Sequence, residues 1–478
     1  MIRKNLSATE WQALARSSPP LLAMWADPTT IYAAFMDGAA PQLVSCPAPD
    51  GRFASFSAQH PAAAWFERAI QDLWGLEAVG SIDGRPWLDH GRWPVLNPMS
   101  SRPVRHGSAP PQPEFLEALG AGVHQIAVGP VHAGIIEPGH FRFHVVGETL
   151  VRLEARLGYT HKGTLGLMLG KSPRAAARFP ARLSGDSTVA HSLAFALAAE
   201  QAAGITAPPR AVAMRAAMAE IERIANHLND WGFICNDAAF PAVHARTGVL
   251  REALLRACHV AFGHRLMMDR VLPGGVATDI AAGGLGLIAD ALASIEAELP
   301  ALERITASHA SLQDRLVSTG IIAPGLAALL NAGGVVGRAS GRAVDARAVP
   351  GYAPYDELEV VPITRTEGDV AARLAVRQDE IRESLRMLHI IAAGMPEGEI
   401  MTALPGRAGE GFALVEGFRG ECFCWLRLDD GGLIQAAFLR DPSWLHWPLL
   451  EAAVQGNIVA DFPLINKSIN GSYSGVDL

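Results

Sequence analysis

Charge is scarce in this sequence. Only 18% of its 478 residues are Asp, Glu, Lys or Arg, against 49% hydrophobic. No lysine or arginine cluster stands out, so a nucleic-acid partner is not expected. No basic patch of the kind that holds anionic lipid is present either. The net charge of -8 and pI near 6.1 point the same way. Cysteine is also scarce: Cys46, Cys235, Cys258, Cys422 and Cys424 are an odd five with no C-x-x-C. That excludes a disulfide framework and the commonest metal-binding pairs. Long apolar runs are missing. GGLGLIADALASIEAELPAL is broken by Asp290, Glu296 and Glu298, short of the roughly 20 residues that span a bilayer. The opening MIRKNLSATEWQALARSSPP lacks the apolar core of a signal peptide. These absences predict a soluble, cytoplasmic chain that reaches a membrane only through a partner.

What is present is enough apolar material for two or three cores. SATEWQALAR predicts a short helix capped by Ser7 or Thr9. PAAAWFERAIQDLWGLEA predicts another, with Trp65, Ile70, Leu73 and Trp74 on one face. SSRPVRHGSAPPQPEF is rich in Pro, Ser and Gly and predicts a linker. Beyond it, QIAVGPVHAGIIEPGHFRFHVVGETLVRLEARLGY alternates in period two, with a turn at Gly147-Glu148. From about 184 to 330 the pattern is helical. One helix starts at Pro208-Pro209 and carries Met214, Met218, Ile221, Ala225 and Leu228 on a stripe. Others are expected over 248–270 and 283–317. A mixed segment over 335–378 precedes the helix RQDEIRESLRMLHIIAAGM. A hairpin turning at Asp429–Gly432 closes the pattern, with Cys422 and Cys424 on one strand face as small buried residues.

Several phrases in order carry a resemblance: GPVHAGIIEPGHFRFHVVGE, GYTHKGTLGLM, AHSLAFALAAEQAAGI, IERIANHLNDWGFICNDAAF, GRASG and FPLINKSINGSYSGVDL. They resemble the large subunit of energy-converting nickel–iron hydrogenases, and equally the quinone-site subunit of respiratory complex I. FERAIQDLWGLEAVGSIDGRPWLDHGRWPV resembles the peripheral-arm subunit that complex I encodes just upstream. The chain thus looks like a fused C/D-type subunit of the formate-hydrogenlyase and hydrogenase-4 kind. The resemblance implies an α+β architecture. A small α/β N-terminal domain would occupy residues 1–105 and a linker 106–120. A large, mainly helical domain with a β-rich opening would occupy 121–478.

The two relatives place different chemistry in one pocket. Hydrogenases hold nickel and iron with two C-x-x-C pairs, because soft thiolates suit these metals. In register with AHSLAFALA the first pair falls on Ser184 and Ser187, and the second near Ser472 and Gly475. No metal site is therefore expected. Complex I uses a tyrosine in the first-pair loop and a histidine in the glycine-rich hairpin to meet a quinone. Those positions are Gly185 and, near enough, Ile136. The stretch RLSGDSTVAHSLAF thus resembles a former metal-site loop, and the sequence alone also reads it as a plain capped helix start.

The remaining candidates move protons. Glu137 lies where hydrogenases place a proton-carrying glutamate, and a buried glutamate has a raised pKa. His132 and His191 can extend a relay, with Asp186 anchoring one of them. His140, Arg142, His161 and Gly185 are candidates for contact with a quinone, with Lys162 beside Arg142 to balance charge. Structural hydrogen bonding is the alternative for each histidine, and a salt-bridged knot is the favoured reading of Arg338, Asp345 and Arg347. No G-x-G-x-x-G follows a strand. The resemblance therefore puts NAD(P)H and the iron–sulfur clusters on partners: a small iron–sulfur subunit, a ferredoxin-like subunit and ion-translocating membrane-arm subunits. The chain would sit on the cytoplasmic face of the inner or plasma membrane. It would pass electrons to quinone or another acceptor, or serve as a coupling subunit without a reaction of its own.

Overall fold

The computed structural model describes residues 3–17, 19–101, 103–105, 115–132 and 136–478. Most of the expected linker, and residues 133–135 of the hairpin, lie outside the described residues.

The N-terminal part is a four-stranded sheet with two helices. Strands β1 (Lys4–Asn5), β2 (Leu21–Asp27), β3 (Thr30–Asp37) and β4 (Ala40–Pro47) run in the order β1-β4-β3-β2, with β1 parallel to β4 and the rest antiparallel. Helix α1 (Ala8–Leu14) begins in a capping box. Ser7 accepts from the Glu10 N–H, and Glu10 accepts from the Ser7 N–H. Helix α2 (Ala63–Trp74) lies against β2. The sheet does not stand alone. Trp25 stacks on Phe438 at 5.3 Å and meets Phe423 and Trp425 of the last sheet, so one apolar core runs through both parts.

The hairpin sheet follows the sequence pattern. Strands β5 (Val123–Val128), β6 (His140–Val146) and β7 (Thr149–Arg156) pair antiparallel in the order β7-β6-β5, and the β6–β7 turn falls at Gly147-Glu148. Helices α3 (Thr188–Ala203), α4 (Pro209–Asp237), α5 (Pro241–Phe262), α6 (Gly284–Ser308) and α7 (Val370–Ala393) form the body. Three expected boundaries shift. The helix expected over 248–270 begins at Pro241 and stops at Phe262, where Gly263 turns left-handed. The one expected over 283–317 breaks at His309. The segment expected to be mixed up to 378 already turns helical at Val370, because Asp369 caps it by accepting from the Ala372 N–H at 2.8 Å.

The last sheet has three strands: β8 (Gly409–Gly417), β9 (Gly420–Leu428) and β10 (Ile434–Arg440). The expected turn at Asp429–Gly432 joins the second and third, and a tighter one at Phe418-Arg419 joins the first and second. Helix α3 crosses this sheet so closely that only glycine fits beneath it. A Cβ on Gly411 would lie 2.1 Å from the Ala198 carbonyl oxygen. Helices α8 (Ser443–Ala453) and α9 (Phe462–Ile469) then return the chain to the hairpin.

Charge is scarce overall but concentrated between α4 and α7. Glu220, Arg223, His227 and Asp230 share one face of α4, and Arg373, Arg377, Glu380 and Ser384 one face of α7; all are buried. Ser384 donates to Glu220 at 2.6 Å, His227 bonds Glu380 at 2.8 Å, and Arg377 bonds Asp230 at 3.0 Å. Arg338, Asp345 and Arg347 join this set as the salt-bridged knot read from the sequence. Arg347 lies 2.7 Å from Asp345 and 3.1 Å from Glu220, and Arg338 lies 2.7 Å from Glu380. Each buried charge here has a partner, which is the condition for burying it at all.

Candidate functional site

The four positions aligned with hydrogenase thiolates come together. Ser184 and Ser472, far apart in sequence, share a hydrogen bond of 2.8 Å between their hydroxyls. The Gly475 N–H donates to Ser472 at 3.0 Å, and Ser187 accepts from Arg419 at 3.0 Å. Arg419, on the β8–β9 turn, clamps Asp186 through two bonds of 2.7 and 2.6 Å. Burial opposes the charge on Asp186, but Arg419 outweighs it and holds that carboxyl below its ordinary range. Asp186 is therefore spent on Arg419 and does not anchor a histidine as expected.

His191 has a different partner. Its Nε2 lies 2.8 Å from Asp441 Oδ2, both groups fully buried, with the Cys422 sulfur at 3.9 Å. Burial works against the charge of Asp441. The hydrogen bond from His191, with Arg419 and the Ser443 N–H behind it, wins and keeps the carboxyl well below the usual range. Asp441 is missed by sequence reasoning because 250 positions separate it from His191. Glu222 lies under the same loop. It accepts the Val189 and Ala190 N–H groups at 2.7 and 3.0 Å, anchoring the start of α3, and burial pushes its pKa up to about 8.

Glu137 is not the buried glutamate expected of a proton carrier. It is exposed, and its carboxylate accepts the Ser474 N–H at 2.7 Å. Gly185 is also exposed, and a Cβ there would touch nothing within 4 Å. His161 is held by the Asp477 carbonyl at 2.6 Å and packs on Trp93; His140 sits on Phe115 with Gly129 O at 3.3 Å. Burial lowers the pKa of both rings. Arg142 stacks over the same Phe115 at 4.1 Å. Lys162 donates to the Leu183 carbonyl at 3.2 Å.

His132 and Ile136 stand apart from the rest. They line a cavity of about 620 Å³ between the hairpin, the end of α4 and helix α9, with Phe143, Phe462, Lys467 and Tyr473 among the other walls. Phe143 and Phe462 meet edge to face at 4.7 Å, and His132 lies edge-on to Tyr473 at 6.0 Å. Burial lowers the pKa of His132, and its Nδ1 has no hydrogen-bond partner among the described residues. Burial pushes Tyr473 up to about 12, so it keeps its hydroxyl proton at neutral pH. None of the former metal-loop residues 184–188 lines this cavity.

Comparison with known proteins decides the family. Formate hydrogenlyase subunit 5 of Escherichia coli is 30% identical over 89% of this chain and 77% of that protein. Hydrogenase-4 component G of Escherichia coli is 31% identical over 89% of this chain and 76% of that protein. This chain belongs to the family of hydrogenase-4 and complex I large subunits. The complex I branch is equally visible in this family. An NADH-quinone oxidoreductase subunit of Dehalococcoides mccartyi is 31% identical over 73% of this chain and 97% of its own length. Residues 242–406 match the respiratory-chain NADH dehydrogenase 49 Kd subunit. A chain from the solved membrane-bound sulfane sulfur reductase, an archaeal respiratory membrane complex, shares the fold at TM-score 0.70 and 23% identity. It covers 75% of this chain and 99% of that one.

Family membership raises the nickel–iron centre as a question, and the residues do not fit it. Two hydroxyls bond each other, a third serves Arg419, and the fourth position has no side chain. A Cβ on Gly475 would lie 2.6 Å from the Asp441 carboxyl carbon. Hydroxyls are hard, neutral donors at neutral pH, where nickel–iron chemistry calls for thiolates. Among the described residues no His, Cys, Asp and Glu cluster has the geometry to hold a metal ion, and no helix is long and apolar enough to cross a membrane.

Proposed function

We propose that this chain is a nickel-free subunit of a membrane-associated oxidoreductase complex of the complex I and hydrogenase-4 type, and that it holds a quinone-class acceptor in the hairpin cavity. The observation that carries the reading is that cavity: aromatic walls, a hydroxyl donor in Tyr473 and the imidazole of His132, whose Nδ1 has no hydrogen-bond partner among the described residues. Two electrons would come from an iron–sulfur cluster on a small partner subunit, fed through a ferredoxin-like subunit or from NAD(P)H bound elsewhere. Two protons would complete the quinol. Tyr473 donates a hydrogen bond to one ring oxygen, and His132 serves as the second polar contact. Membrane-arm partners would attach the chain to the cytoplasmic face of the membrane and translocate ions. A scaffold role without chemistry has one observation in its favour, the closure of the former metal loop by Arg419.

The test is quinone-dependent oxidation of the donor by the native complex in lipid, with nickel assayed on the same sample. Tyr473→Phe should lower turnover by about 2- to 10-fold, the worth of one neutral hydrogen bond. Turnover without nickel supports the reading. Stoichiometric nickel would overturn it, and an intact complex inert to every quinone would leave the scaffold role.

A further inference from the structure

The cavity is not uniformly apolar, and the cation in its described wall is incompletely used. Lys467, on the last turn of α9, lies with its Nζ 4.7 Å from the centroid of the Phe233 ring and donates to Asn470 Oδ1 at 3.2 Å. Its only ion pair among the described residues is with Asp230, at 3.7 Å, beyond hydrogen-bonding range. Asp230 is already satisfied. Its Oδ2 accepts from Arg377 at 3.0 Å, and its Oδ1 accepts from Asn470 at 2.8 Å. An ammonium group carries three N–H donors. Among the described residues one is committed to a hydrogen bond, and the others remain for the cavity that Lys467 lines. The side chain is only 21% exposed, so a charge contact here is screened less than at a surface.

Resting on the quinone reading above, we infer that Lys467 is the anchoring cation of this cavity, and that the site prefers a planar ring bearing an oxyanion over the neutral ring of the same size. Phe143, Phe462 and Tyr473 supply the apolar walls for the ring. One acidic side chain, Asp237, also lines the cavity and would oppose an anion. Burial raises its pKa, while the neighbouring Lys467 charge and the Asn236 side chain pull it the other way. The same contact favours a quinone ring once it has gained electrons ahead of protons, so Lys467 sets specificity for the charge state of the occupant.

The experiment uses the purified complex and two rings differing by one group: a 2-hydroxy-3-alkyl-1,4-naphthoquinone, ionised at neutral pH, and its 2-alkyl analogue without the hydroxyl. Wild type should bind the ionised ring more tightly. Lys467→Met should weaken that binding by about 10- to 100-fold, the range for a charge-assisted hydrogen bond, and leave the neutral ring within about threefold. Lys467→Arg should retain most of the preference. Equal loss of both rings in Lys467→Met would reduce the residue to a packing role, and no change in either would also overturn the inference. If wild type binds neither ring, the quinone reading itself falls and this inference goes with it. If both bind but the preference is absent, only the inference falls.

Discussion

The former metal loop and the hairpin cavity are neighbours joined through Ser472 and Tyr473, and they differ in what surrounds their polar groups: the loop is cross-linked by ion pairs and hydrogen bonds, the cavity is walled by aromatic rings. Around the loop four pairings tie distant segments together: Ser184 with Ser472, Arg419 with Asp186, His191 with Asp441, Glu222 with the start of α3; among the described residues Thr188 Oγ1 and the Arg440 guanidinium are left without a hydrogen-bond partner. Among the described residues of the cavity, His132 Nδ1 has no hydrogen-bond partner and Lys467 makes one hydrogen bond, to Asn470. Cross-linked buried pairs specify one arrangement, whereas polar groups beside apolar walls are what a ligand can use. On the proposed reading the acceptor lies in the hairpin cavity and not at the former metal loop.

The largest effect should come from trying to restore the old site. Installing Ser184→Cys, Ser187→Cys, Ser472→Cys and Gly475→Cys together should destabilise the chain by about 1–3 kcal/mol through overpacking. Metal analysis should still find no stoichiometric nickel, because the Gly475 side chain would collide with Asp441. Bound nickel would erase the contrast between the two regions.

A smaller effect concerns pH. The folded-state pKa of Glu222 is raised from an ordinary 4.5 to about 8. Between those values the native state keeps a proton that the unfolded chain has lost, so the group's contribution falls as pH rises through this window and is flat above it. Glu222→Gln should therefore flatten the pH dependence of the urea midpoint between pH 4.5 and 8, and gain relative to wild type above it. An unchanged slope would mean the loop is better hydrated than its burial indicates.

The smallest effect should be Gly185→Tyr, which restores the complex I residue type. The position is exposed and open, so stability should shift by no more than about 0.5 kcal/mol. Quinone KM should not change, because Gly185 is not a wall of the cavity. A sharp fall in KM would move the acceptor back to the loop.

Much of this was legible in the sequence, for local reasons. Period-two alternation located the hairpin strands, the prolines at 208–209 marked the start of α4, and register on AHSLAFALA brought Ser184 and Ser472 to one pocket. The start of α7 was missed although Asp369 was a visible cap, because arginines in GDVAARLAVR disguise a buried helix as a polar segment. The apolar stripe of α4 is legible, but not that its charged face is buried against α7. Asp441, Arg419 and Lys467 were not legible as site residues. Their partners Ser187, Asp186, His191 and Asp230 lie hundreds of positions away, and no periodicity encodes such pairings.

The charged seam between α4 and α7 also bears on how the molecule can move. Its charges recur at intervals of three and four residues on both helices, with acids set against bases. Sliding one helix past the other by a single turn, about 5.4 Å, would break these matched contacts in a place that water does not reach. An apolar seam would tolerate such a slip. This one works like a toothed rack: a push delivered at Lys467, beside Asp230, cannot dissipate as slippage and must move the two helices together.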